Sequence, residues 1–387
     1  MQFSELEILD VDLEAAIGLV DALYVPENSV TIIKVLEYSG FDQLTFFESN
    51  QDFKTHFHSA LRATCHFLAM IKSERRPFPI NLCVEGMRAI SSLKCYDRDI
   101  VMSLLASLCD SAFDMGPFPN TQAFKKCLLT CQSMREYGGQ PYFIFGDSHS
   151  RLYRRSGTRS EKWLLPIHVC FTAGSAIGLR NPTSKTGYGE TLKQVFEIMK
   201  EIEAFGSTKI FLQFGQVDVE FLHPFRRIMN EEIEFKAQEF QIFCETTIEA
   251  YINFLTVIIP DGHKSLVYIV GIFPPALNDD ILQAGYTHPH ISEIENVTEN
   301  EALKNSLSKL QWPNKIERTK NHAYFNNELK IAAIKAGFKF ISDFDEFLNK
   351  QKNLAENFIA FSKGQDHHLD FKPSEMVIEK SLWCWLS

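Results

Sequence analysis

The chain has 387 residues, 45% of them hydrophobic and 23% charged, with a formal net charge of −10. This is enough apolar material for a sizeable core, and enough length for two domains or one domain with a large extension. The acidic balance, with no basic stripe carrying interleaved aromatics, argues against nucleic acid as a partner.

The N-terminus, MQFSELEILDVDLEAAIGLV, lacks the basic start and long apolar core of a signal peptide. No apolar run approaches the roughly 20 residues of a membrane helix. The nine cysteines are scattered and form no CxxC pair, which fits reduced thiols in a cytoplasmic protein. Residues 1–138 read as helical. HFHSALRATCHFLAMIKSE, NLCVEGMRAISSL, DIVMSLLASLCDSAF and TQAFKKCLLTCQSM each carry apolar residues at helical spacing. Pro-Phe-Pro precedes two of them, at 77–79 and 117–119. That spacing fits a helical-hairpin repeat, and proline before a helix is also ordinary punctuation. His56, His58 and His66 read as polar or half-buried helix residues rather than metal ligands, and Cys127 with Cys131 as a packed pair. This domain offers a surface for a protein partner but no catalytic cluster.

REYGGQP breaks the pattern, and a domain boundary is placed there, giving 1–138 and 139–387. Beyond it, short apolar runs alternate with helical segments. The runs are YFIFG (142–146), IHVCFTAG (167–174), KIFLQFG (209–215), SLVYIVGIFPP (265–275) and FKFISD (338–343). TLKQVFEIMKEIEAF, CETTIEAYINFLTVII and NNELKIAAIKAG supply helices between them. The alternation predicts an α/β domain with a parallel sheet covered on both faces. Functional groups then belong at the carboxyl ends of the strands.

The first run ends in Gly146-Asp147-Ser148-His149, the second in Thr172-Ala173-Gly174-Ser175, and the third in Gly215-Gln216-Val217-Asp218. Near the C-terminus stands Gln365-Asp366-His367-His368-Leu369-Asp370. A serine needs an imidazole to take its proton, a carboxylate to orient that imidazole, and N–H donors for the developing oxyanion. Each part has a candidate here.

The blocks FGDSHS, GSAIGLRNPTS and FGQVDVEF, with the Asp/His cluster near the C-terminus, resemble the SGNH (GDSL-type) hydrolases over about residues 141–387. More narrowly they resemble a microbial branch with Gly-Asp-Ser-His in its first block. The resemblance implies a flavodoxin-like α/β/α sandwich, preceded here by an all-α domain. It implies hydrolysis or transfer of ester-linked acyl groups, often on carbohydrates, without a cofactor or metal. It also implies Ser148 as nucleophile and His368 as base. Ser148 N–H and Gly174 N–H become oxyanion donors, with Gly178 a less favoured alternative.

Two blocks depart. Val217 stands where the family has a donating Asn, so Gln216 or Asn181 would have to substitute. The family Asp-x-x-His would need an acid at Gln365, and Asp366 stands one residue late, so the orienting group is Asp366, a backbone carbonyl or nothing. His367 is a rival base, but its own partner position is Gly364.

Asp218 reads equally as a functional group or a turn cap, and Asp147 as a further site candidate. Arg226 and Arg227 read first as surface and second as an anion clamp. His149 reads as a local hydrogen-bonding residue. Asp366, His367, His368 and Asp370 are too tightly spaced to converge on one metal. Residues 287–307 read as a polar insertion, partly helical, that caps the site. The function read from the sequence is a serine esterase or acyltransferase. The alternative is a catalytically impaired SGNH-like module that binds a glycan or serves assembly.

Overall fold

A computed structural model of the chain describes residues 135, 139–155, 158–159, 162–184, 186–201, 208–287, 300–359 and 366–386. The helical reading of 1–134, with its Pro-Phe-Pro pair, His56, His58, His66, Cys127 and Cys131, lies outside these residues, as do Gly364 and Gln365. Contacts divide the chain into two compact units, 1–141 with 156–168 and 142–155 with 169–387. Every site residue discussed below belongs to the second.

Six strands form one sheet: β1 (Gly139–Gly146), β2 (Thr158–Arg159), β3 (Lys162–Cys170), β4 (Lys209–Gln213), β5 (Val267–Val270) and β6 (Lys339–Ile341). Their order is β2-β3-β1-β4-β5-β6. β2 is a short antiparallel addition, Thr158 facing Trp163. The other five are parallel, and counted among themselves their order is 2-1-3-4-5, consistent with a flavodoxin-like sandwich. The register runs Tyr142 to Lys209, Ile210 to Val267 and Tyr268 to Lys339.

The sequence explains the pairing. Nearly every residue of β1 is buried, and Tyr142, Phe143, Ile144 and Phe145 are almost fully so. A strand covered on both faces reads as a continuous apolar run rather than an alternating one. β3 begins earlier than the predicted run, because Leu164 and Leu165 are also buried.

β5 ends at Val270, earlier than the predicted run, for a specific reason. The Asn326 side chain accepts from Ile272 N–H at 2.7 Å and donates to its carbonyl at 2.9 Å. The Gln216 side chain does the same at Phe273, at 2.8 and 3.3 Å. Two carboxamides thus satisfy the backbone beyond β5 where no neighbouring strand does.

Among the described residues the α-helices are α1 (Tyr188–Glu201), α2 (His223–Met229), α3 (Ala237–Ile258), α4 (Asp279–Gln283), α5 (Asn300–Ser308), α6 (Lys315–Lys335) and α7 (Phe371–Leu386). α3 packs on α6, and α7 on the turn that follows β1. α6 starts with a capping box between Asn314 and Glu317. A π-helical turn, Asp218–Leu222, leads into α2. Among the described residues no helix is long and apolar enough to cross a membrane.

Asp343, just past β6, ties three parts of the fold together. Its carboxylate accepts from Ser381 in α7 at 2.5 Å and from Tyr153 at 3.2 Å. Burial pushes its pKa from 3.8 up to about 6, against the pull of these two hydrogen bonds. The folded state therefore holds this proton more tightly than the unfolded chain does. Stability from this group is full below about pH 4 and is lost as the pH rises through about 6, by roughly 2–3 kcal/mol. Asp343→Asn should remove that loss. Denaturant titrations at pH 4 and 7.5 should show the variant gaining on the native chain by about 2 kcal/mol between the two. A pH-independent difference would contradict the assignment.

Candidate active site

β1 ends at Gly146, where the backbone is too crowded for any side chain. A Cβ would lie 2.3 Å from the Gln213 carbonyl oxygen and 2.6 Å from the Ser150 Cβ. Asp147 then caps a six-residue 3-10 turn, Ser148–Tyr153, accepting from His149 N–H at 2.9 Å. Asp147, His149 and Ser150 are buried, and Ser148 between them is only half-buried. The turn thus presents one hydroxyl from an otherwise closed segment.

The second half of the site comes from 366–370. Leu369 is buried and bridges Ile359, and Asp370 N–H donates to the Phe358 carbonyl at 2.9 Å. These contacts anchor the segment just ahead of α7. His368 Nε2 lies 2.8 Å from Ser148 Oγ. His368 Nδ1 lies 2.9 Å from Asp366 Oδ1, which also accepts the His368 backbone N–H at 3.0 Å. The His368 hydrogen bond holds the Asp366 pKa far below the usual carboxylate range, so Asp366 is ionised at neutral pH. A carboxylate can only accept. The proton of His368 therefore sits on Nδ1, and Nε2 presents its lone pair to the serine.

His367 does not share this role. Its Nδ1 lies 2.9 Å from the Tyr286 hydroxyl and 3.3 Å from Asp366 Oδ1, and its ring packs edge-on against Phe221 at 5.0 Å. His149 is held at Nδ1 by Asp147 Oδ1, 2.9 Å away. Asp218 is a buried fastener. One oxygen accepts from Ala176 N–H at 2.6 Å and the other from Ile177 N–H at 3.2 Å. It fixes the loop after β3 to the loop after β4.

The oxyanion side differs from the sequence expectation. Gly174 N–H does not face the site. It donates to the Phe171 carbonyl at 2.7 Å, closing a tight turn in which Ala173 has φ of 56°. Gly178 N–H is taken by Ser175 Oγ at 3.1 Å. The Gln216 side chain is fully buried, and its amide nitrogen donates to Glu220 and to the Phe273 carbonyl. Asn181 is exposed, with its Oδ1 accepting from the Thr183 N–H and hydroxyl. Among the described residues, no acceptor lies within hydrogen-bond reach of Ser148 N–H or of Ser175 N–H. The left-handed residue of this turn is an ordinary alanine, so the sequence gives no sign that Gly174 N–H is turned to Phe171.

A cavity of about 430 Å³ opens between these loops. Ser175, Asn181, Tyr188, Val217, Phe221 and Arg226 are among the residues that line it. Ser148 and His368 are not. Phe221 connects the cavity to them through His367, whose ring centroid is 3.8 Å from that of His368. Arg226 and Arg227 separate in role. Arg227 is buried and donates to the Ile233 and Gln311 carbonyls. Arg226 faces the cavity, its guanidinium 5.1 Å from the centre of the Phe243 ring. Of the polar insertion, 288–299 lies outside the described residues, and 300–308 is α5.

Three buried carboxyls surround the site, and burial is the leading cause in each. Asp147 is pushed up to about 7, against the pull of the His149 backbone N–H, the His368 charge and the Val217 backbone N–H. Asp218 is pushed up to about 6, despite the Ala176 and Ile177 amides. Glu220 reaches about 8, although Gln216 and Arg318 favour its charged form. Beside Glu220, burial drives His322 down to about 3, and its Nδ1–H donates to the Phe273 carbonyl at 2.8 Å. Such displaced values gather where a water-poor pocket serves chemistry.

The fastener role of Asp218 is testable through stability. Asp218→Ala strands the buried Ala176 N–H and the half-buried Ile177 N–H and should cost about 2–4 kcal/mol at pH 7.5, read from denaturant midpoints. Asp218→Asn keeps one acceptor oxygen and should cost about half as much. Equal and negligible effects would show that the loop holds itself. Comparison of the chain with protein-family models, curated proteins and solved structures finds no match, and the function rests on the geometry above.

Proposed function

We propose that the protein is a serine esterase or acyltransferase of the SGNH type, with Ser148 as nucleophile, His368 as base and Asp366 as the orienting carboxylate. One observation carries this reading. Ser148 Oγ, His368 Nε2, His368 Nδ1 and Asp366 Oδ1 form an unbroken chain with contacts of 2.8 and 2.9 Å. Those are the distances proton transfer requires. The ionised partner also fixes the tautomer that leaves Nε2 basic.

The reaction follows from these positions. Ser148 Oγ attacks the acyl carbon of an ester while its proton passes to His368 Nε2. The imidazolium so formed is stabilised by Asp366. The oxyanion is received by the N–H groups of Ser148 and Ser175. His368 then returns the proton to the departing alcohol, leaving an acyl group on Ser148. Water, or a second alcohol, enters by the same route in reverse. The cavity supports a carbohydrate ester as substrate. Its wall combines the rings of Tyr188, Phe221 and Phe225 with the hydroxyls and amide of Ser175, Thr183 and Asn181. Flat apolar faces among convergent polar groups suit a sugar.

The impaired module is a second reading with its own support. Val217 contributes no side-chain donor, and the Gly174, Gly178 and Gln216 donors are committed elsewhere. A missing side-chain donor costs roughly 10²–10³ in rate. Chemistry here should therefore be slow and favour esters with good leaving groups.

Hydrolysis of p-nitrophenyl acetate separates the readings. Ser148→Ala and His368→Ala should each lower kcat/KM by at least about 10³-fold, and Asp366→Asn by about 10²-fold or more. Val217 is buried and lines the same cavity as Ser175. Val217→Asn should raise kcat by roughly 10-fold or more by adding a donor. Hydrolysis that survives Ser148→Ala in a pure preparation would give the lead to the binding-module reading.

A further inference from the structure

The base of the dyad belongs to a larger group. His149, His367 and His368 each place one ring nitrogen within 4.8 Å of a ring nitrogen of the other two. Ring centroids lie 3.8 Å apart for His367 and His368, 4.6 Å for His149 and His368, and 5.2 Å for His149 and His367. His149 and His367 are 1% and 4% exposed, and His368 18%.

Their outer partners give the cluster a direction. Each Nδ1 lies 2.9 Å from an oxygen: Asp147 Oδ1 for His149, Tyr286 Oη for His367 and Asp366 Oδ1 for His368. A histidine that binds metal characteristically gives its other N–H to a carboxylate or another oxygen. That contact fixes the tautomer and strengthens the ligand nitrogen. Here all three rings have such a partner, and two of the three are carboxyls.

From this we infer that His149, His367 and His368 form a binding site for a divalent transition-metal ion of the zinc class, bound through their Nε2 atoms with water in the fourth position. Three imidazoles suit zinc, copper or nickel, and not magnesium or calcium, which need oxygen ligands. Zn–N bonds of about 2.0–2.1 Å place tetrahedral ligand nitrogens about 3.4 Å apart. Side-chain rotation has to close the group from within 4.8 Å to that distance. Nδ1 of each ring is turned to an oxygen, and for His368 the ionised Asp366 places the proton on Nδ1, so Nε2 is the nitrogen offered to the ion.

The site has a consequence for the proposed reaction, and this part rests on the esterase reading. His368 has one lone pair on Nε2. It accepts either the Ser148 proton or the metal ion. Metal binding and serine activation exclude each other, so the ion switches the hydrolase off reversibly.

The test uses the full chain, freed of metal with a chelator, and Zn²⁺ or Co²⁺ alone as the probe. Calorimetry should find one tight Zn²⁺ per chain, and Co²⁺ should give the visible absorption of a tetrahedral nitrogen-rich site. Affinity should fall at least about 100-fold in His149→Ala and in His367→Ala, and stay within about 3-fold in Ser148→Ala. His149→Gln and His367→Gln serve where the alanine variants do not fold. In the native chain, Zn²⁺ should abolish hydrolysis of p-nitrophenyl acetate and excess chelator should restore it. No Zn²⁺ binding, or binding unaffected by the His149 and His367 variants, overturns the metal site and leaves the esterase reading intact. Tight binding by a chain that hydrolyses nothing supports the metal site and sinks the esterase. Hydrolysis by zinc-loaded Ser148→Ala overturns the switch, because the ion would then be the catalyst.

Discussion

The 2.8 Å contact between Ser148 Oγ and His368 Nε2 joins residues 220 positions apart, and the candidate chemistry depends on it. Neither side chain reaches the other unless two segments are held firmly. On one side, β1 ends at a glycine pressed against the Gln213 carbonyl, and Asp147 caps the turn that raises the serine. On the other, the bridge between Ile359 and Leu369 and the Asp370 N–H bond to the Phe358 carbonyl fix the stretch that carries the histidine. The parallel sheet brings the loops after β1, β3 and β4 to one edge, which is where such folds place their ligands.

Around that contact, many polar groups are committed to holding loops rather than to chemistry. Asp218 fastens the loop after β3, and Gln216 and Asn326 satisfy the backbone beyond β5. Arg227 closes the base of α2. A rigid frame of this kind keeps a hydroxyl and an imidazole at fixed separation. It also removes donors from the pool available to an oxyanion: the Gly174 and Gly178 N–H groups and the Gln216 amide are all engaged within the frame. The frame and the expected slowness of the chemistry therefore have one cause.

The parallel architecture was legible because fully buried strands have to be apolar throughout, as in YFIFG and KIFLQ. Ser148 and His368 were legible as candidates because Gly-Asp-Ser follows a buried apolar run and an Asp/His cluster stands near the C-terminus; the 2.8 Å contact between them was not, since 220 positions separate the two. What escaped was geometry that depends on backbone conformation. Ala173 gives no sign in the sequence that it adopts a left-handed φ, so Gly174 looked like the donor. α7 escaped because Phe371–Leu386 follows the cluster directly and its apolar residues went unread as a helix. The three-histidine group escaped because His149 is far from 367–368 in sequence, and because 366–370 alone is too tightly spaced to enclose an ion. Tyr286, which holds His367, stands in a stretch with no motif.

The central claim is that Ser148 is a nucleophile activated by His368. Reaction of the chelator-treated chain with a fluorophosphonate, followed by peptide mapping, tests it most directly, because the reagent bonds only to a serine whose proton is being withdrawn. The account predicts one adduct per chain, on Ser148, absent from His368→Ala. A native chain that takes up no label at Ser148, or that is labelled equally well without His368, would contradict it.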